Sequence, residues 1–163
     1  MTKAYMGIDI GSNGSAALFT EDGSLKVLRF GKCTDKDIWE WIRDCAFEYD
    51  CTCIIEKVWA MPATNPDGSK RTMGTQTMFE FGENNGMVKA FITAAGIPVD
   101  FKIPQTWQKF YGMKKDKGED QNAYKRRLKM KAEELFPNFK FTLDNTDGVL
   151  IANYCRKTLT NNE

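Results

Sequence analysis

Four acidic residues stand where an acid is either costly or paired: Asp9, Glu56, Asp144 and Asp147. Asp9 lies between Ile8 and Ile10 and is followed by the turn residues Gly11-Ser12-Asn13-Gly14. Glu56 ends the run Cys51-Thr52-Cys53-Ile54-Ile55, which reads as a buried strand. An ionised carboxylate on an apolar strand costs free energy unless it meets a partner. Asp144 and Asp147 are spaced i, i+3, which sets both on one face of a helix. Each acid alone has a plain structural explanation. Asp9 could cap a helix or open the turn, Asp144 could be a helix N-cap, and Asp147 suits a helix dipole. The functional reading of Asp9 is a carboxylate set on a rigid strand to hold a metal ion, and the set of four, in this order of elements, is far less easily dismissed than any one of them.

The chain has no histidine, which narrows its chemistry. No Ser-His-Asp or Cys-His arrangement is possible, so a hydrolytic activity near neutral pH must come from carboxylates, lysines or bound metal. Cys33, Cys45, Cys51, Cys53 and Cys155 form an odd set without a CxxC pair and read as reduced thiols. Cys51 and Cys53 alternate on one strand face, as core thiols do.

The formal net charge of +1 conceals a local excess. Ten basic residues fall between Lys102 and Lys131: Lys102, Lys109, Lys114, Lys115, Lys117, Lys125, Arg126, Arg127, Lys129 and Lys131. Only Asp116, Glu119 and Asp120 oppose them. The remainder is acidic on balance, so this stretch reads either as a polyanion footprint or as a solvated helix face.

The elements that must position these residues follow from periodicity. Lys3 to Ile10, Ser15 to Thr20 and Ser24 to Phe30 read as three short strands with glycine turns between them. Thr34 or Asp35 caps a helix to about Tyr49, with Ile38, Trp41, Ile42, Cys45 and Ala46 on its apolar face. After the Glu56 strand, Trp59 to Arg71 reads as a loop containing Pro62, Pro66 and Asp67-Gly68. A helix from about Thr72 to Ala95 carries Gly82 and Gly86, each costing ~1 kcal/mol relative to Ala, which calls for close approach of another backbone. Val99 to Ile103 is a fifth strand, Pro104 to Tyr111 a short helix, Gln121 to Phe136 the basic helix, and Asp144 to about Leu159 a helix with Val149, Ile151, Ala152 and Cys155 inward. Residues 1–163 are expected to form one α/β domain. With no charged-then-apolar leader and no bilayer-spanning run, the expected location is the cytoplasm, with no membrane partner.

Gly7-Ile8-Asp9-Ile10-Gly11-Ser12, Ile55-Glu56-Lys57-Val58-Trp59, Gly82-Glu83-Asn84-Asn85-Gly86 and Asp144-Asn145-Thr146-Asp147 resemble, in order and spacing, the motif series of RuvC-type Holliday-junction resolvases of the ribonuclease H-like superfamily. The compact form resembles the phage branch, for which the location would be host-cell cytoplasm. The resemblance implies a five-stranded mixed sheet flanked by helices and a homodimer presenting two sites to branched DNA. It implies that Asp9, Glu56, Asp144 and Asp147 are catalytic ligands of Mg²⁺, with Mn²⁺ as substitute; hard oxygen donors suit such ions. It implies a junction-stacking role for Trp59, while Lys109 and Lys115 or Lys117 fall near the family's active-site lysines. Lys114, Lys125, Arg126 and Arg127 complete the expected DNA-binding set. Gly148 stands where the family usually has Ala, a small-for-small change expected to matter little. The implied activity is paired nicking that leaves 5′-phosphate and 3′-hydroxyl ends. Two alternatives stand beside it. One is a non-catalytic branched-DNA-binding relative, which would be expected to lose acids. The other is an actin- or hexokinase-like ATPase, which shares the opening strand and turn but needs two such domains.

Overall fold

The computed structural model describes residues 1–58, 63–64, 70–71 and 74–160. Trp59 lies outside them. In chain order the elements are β1 (Lys3–Asp9), β2 (Ser15–Thr20), β3 (Leu25–Arg29), a 3₁₀ turn (Phe30–Lys32), α1 (Asp35–Glu48), β4 (Asp50–Glu56), the short strands β5 (Ala63–Thr64) and β6 (Lys70–Arg71), α2 (Thr75–Ala94), β7 (Val99–Lys102), α3 (Pro104–Phe110), α4 (Gln121–Leu135) and α5 (Leu143–Thr160).

Five strands form one sheet in the order β3-β2-β1-β4-β7. β1, β2 and β3 pair antiparallel, while β4 and β7 join parallel, through α1 and α2 as crossovers. The mixed sheet is thus the one implied by the motif series. Residue alternation sends Met6, Ile8, Leu18, Cys53 and Ile55 to a core under α1 and α2. Tyr5, Ala17, Phe19 and Ile54 face the opposite core under α3, α4 and α5. All five cysteines are free, and Cys51 and Cys53 are buried in the first core as expected.

Local chemistry explains where the helices start. Thr34 accepts from the Asp37 N–H while Asp37 reaches back to the Thr34 N–H, a complete capping box for α1. Pro104 occupies the first turn of α3, and Asp120 accepts from two backbone N–H groups of α4. At α5 the Asn145 side chain accepts from the Thr142 N–H at 2.8 Å. The helix therefore begins one residue earlier than the acid spacing suggested, and Asp144 lies inside its first turn rather than at the cap.

α2 departs from expectation. Among the described residues, a Cβ added at Gly82 or Gly86 would meet nothing within 4 Å, so the close approach these glycines call for is not supplied by this chain's own sheet. Burial on α2 begins only at Val88; Phe79 is 62% exposed and Met78 44%, whereas Met87 packs against the first core.

Candidate active site

At one end of the sheet a polar rung crosses all five strands. Arg29 pairs with Ser15, Ser15 with Asp9, and Glu56 with Lys102; Ile8 pairs with Ile55, which sets Asp9 beside Glu56. Directly paired residues point to the same side of a sheet. The rung Arg29–Ser15–Asp9–Glu56–Lys102 therefore lies on the face covered by α3, α4 and α5.

Two glycines seat α5 on that face. A Cβ at Gly7 would lie 2.0 Å from the Ala152 nitrogen, and one at Gly148 would lie 2.4 Å from Ser15 Oγ and 2.9 Å from Ser15 O. Real side chains do not approach so closely, so both positions must be glycine for the helix to rest over β1 and β2. Gly148 in place of Ala is thus not a neutral change here. It sets the distance at which the neighbouring Asp147 meets the sheet.

Asp9, Glu56 and Asp147 line one pocket of about 260 Å³, together with Gln108, Gln121, Tyr124 and Lys125. Burial pushes the Asp9 carboxyl well above the usual range, and the charges of Asp147 and Glu56 push it further. Burial likewise raises Asp147. Glu56 is pushed up to about 7, by burial first and by Asp147 in addition. It is moderated by the Trp107 indole, whose Nε1–H donates to Glu56 Oε2 at 2.7 Å. The positive charge of Lys125 opposes all three shifts. Three half-buried carboxylates that repel one another are the situation a divalent cation relieves.

Asp144, the fourth expected ligand, is not in this pocket. Its Oδ2 accepts from Arg29 Nη2 at 2.6 Å, and its side chain is 41% exposed. Among the described residues, no three His, Cys, Asp or Glu side chains converge closely enough to hold an ion as they stand. The donor chemistry nevertheless fits Mg²⁺: every candidate is a hard carboxylate oxygen, gathered where negative charge is least tolerable.

A groove of about 770 Å³ adjoins the pocket and shares Pro104, Gln108, Gln121 and Tyr124 with it. Lys109, Lys114 and Lys115 line this groove. Lys117 and Arg126 are exposed, and Lys125 stands at the acids. Arg127 is engaged inside the chain. It donates to Glu119 through Nε at 2.7 Å, contacts Asp116, and donates to the Lys114 carbonyl, tying the charged loop to α4.

Sequence reasoning missed Trp107, Arg29, Gln108, Gln121 and Tyr124. The one available signal was position: Trp107 is a fully buried aromatic in the short helix that follows β7, the strand beside Glu56.

No family model and no curated protein sequence matches the chain. Among solved structures, it is similar to T. thermophilus RuvC in complex with a Holliday junction substrate, at 13% identity and TM-score 0.57, over 92% of this chain and 90% of that one. It is also similar to the Thermus thermophilus RuvC structure, at 14% identity and TM-score 0.54, over 97% of each chain. On strand order, flanking helices and this likeness, the chain has the RuvC-type, ribonuclease H-like fold.

Proposed function

We propose that this protein is a metal-dependent, structure-selective DNA endonuclease that resolves four-way junctions and related branched DNA by paired nicks, leaving 5′-phosphate and 3′-hydroxyl ends. The observation that carries the reading is the pocket of Asp9, Glu56 and Asp147 at the end of a rigid sheet, continuous with a lysine-bearing groove. A similar fold has been captured with a Holliday junction substrate, which supports branched DNA as the ligand.

Each residue has a task derived from its surroundings. Lys109, Lys114 and Lys115 bind backbone phosphates along the groove by charge, without reading sequence. Trp107 fixes the plane of the Glu56 carboxylate by holding Oε2. Asp9 on β1 and Asp147 on α5, half-buried in one pocket, present negative charge that DNA phosphates avoid unless a cation stands between. Asp9, Glu56 and Asp147, joined by Asp144, would hold Mg²⁺ or Mn²⁺, which would supply activation of water and stabilisation of the leaving 3′ oxygen. Lys125 partly offsets the acids' mutual repulsion. Paired cuts on opposite strands require two such pockets related by a two-fold axis, hence a homodimer.

The test is a nicking assay on a synthetic four-way junction with Asp147→Asn. Cleavage with Mg²⁺ should fall at least a hundredfold while junction binding stays equal or tightens, because a ligand and a negative charge are removed together. Near-wild-type cleavage by the variant would overturn the reading, and wild-type binding without any metal-dependent nicking would favour the non-catalytic relative.

A further inference from the structure

Arg29 is the only rung residue that reaches the fourth acid. It bridges 115 residues of sequence to bond Asp144, with Nη2 on Oδ2 at 2.6 Å. The contact is single-pronged: among the described residues Arg29 Nε is buried without a hydrogen-bond partner, so the guanidinium does not form the bidentate fork that strengthens Arg–carboxylate pairs. Both side chains are partly open, Arg29 at 34% and Asp144 at 41%. Ser15, the rung residue between Arg29 and Asp9, also has a buried hydroxyl without a partner among the described residues. Asp144 stands three residues before Asp147 on the same helix, one turn from the residue that lines the acid pocket.

We propose that Arg29 competes with the divalent ion for Asp144. A carboxylate oxygen held by a guanidinium is not available as a metal ligand, and a single-pronged, part-exposed pair is weak enough for an ion to displace. Arg29 thereby sets the metal affinity of the whole site, and keeps it lower than four carboxylates would give. This inference rests on the metal-nuclease reading above.

Mn²⁺ titration of the DNA-free protein, followed by the loss of the free-ion electron paramagnetic resonance signal, tests it. Arg29→Gln should bind Mn²⁺ roughly two- to fivefold more tightly than wild type, the ratio that a part-exposed ion pair is worth. Arg29→Lys, which keeps the charge, should fall between the two. In an Asp144→Asn background Arg29→Gln should give no gain. Thermal melts in chelator establish that each variant is folded, and Arg29→Lys carries the test if Arg29→Gln is not. Equal or weaker Mn²⁺ binding by the folded Arg29 variants overturns the proposal, as does a gain that survives Asp144→Asn. Asp9→Asn separates the two levels. If it abolishes Mn²⁺ binding while the Arg29 variants change nothing, only the competition is lost; if it leaves Mn²⁺ binding intact, the metal-site reading itself fails.

Discussion

Glu56 shows how a single half-buried side chain can cost a pocket stability. Its carboxyl is raised from an ordinary 4.5 to about 7. A group whose folded value lies above its unfolded value stabilises the fold below the unfolded value, and that contribution is lost as pH rises through the folded one. The window is therefore about pH 4.5 to 7, and Asp9 and Asp147 shift in the same direction. For Glu56 alone the loss is roughly 3 kcal/mol, or about 10 °C in melting temperature for a chain of this size. In chelator, melting temperature should fall by that order between pH 5 and pH 8, and Mg²⁺ should restore most of it at pH 8. Glu56→Gln should flatten the chelator profile. A profile that is flat for the wild type would mean that the three acids are not buried together.

At the scale of elements, the site depends on how closely α5 lies on the sheet. Gly7 meets the helix backbone and Gly148 meets Ser15, so the helix is pinned at two points four residues apart on α5, Gly148 and Ala152. Gly148→Ala must displace either Ser15 or the helix, and overpacking of this kind costs about 1–3 kcal/mol. The variant should melt roughly 5 °C lower, and its cleavage should fall by more than its lost stability explains, since Asp147 moves with residue 148. Melting curves and nicking rates measured on one preparation check both parts. An unchanged melting temperature would show that the helix can lift without cost. Trp107 plays the matching role from α3, where a buried indole turns one oxygen of Glu56.

For the whole molecule, the unsupported part of α2 is the feature that asks for a partner. From Thr75 to Gly86 no residue of the helix is buried, yet the segment contains two glycines. A helix without a packed face is marginal in water, and each interior glycine weakens it further. Met78 and Phe79 on this segment and the open space around Gly82 and Gly86 suit a second copy of the same helix. The wild type should sediment as a dimer at micromolar concentration, and Phe79→Asp as a monomer. That monomer should still melt cooperatively, because Phe79 is exposed in the single chain, but at a lower temperature than the dimer and without the wild type's dependence on protein concentration. A folded Phe79→Asp variant that remains dimeric would place the interface elsewhere. No described helix is long and apolar enough to cross a membrane.

The sequence alone was enough to read the five sheet strands, the helices between them and the placement of Asp9 and Glu56 at strand ends. These are local properties: alternation, 3.6-residue periodicity, caps and turn residues all act within a few positions. It also carried the family resemblance, and with it the mixed sheet. Tertiary structure alone decided which acids meet. Asp147 joins Asp9 because two glycines let α5 descend onto β1 and β2, and Asp144 turns to Arg29 because strand register brings β3 beside the start of that helix. Trp107 reaches Glu56 across 51 residues for the same kind of reason. Which long-range neighbours a side chain acquires depends on register, and a one-residue slip in any one strand would turn that strand's rung residue to the opposite face.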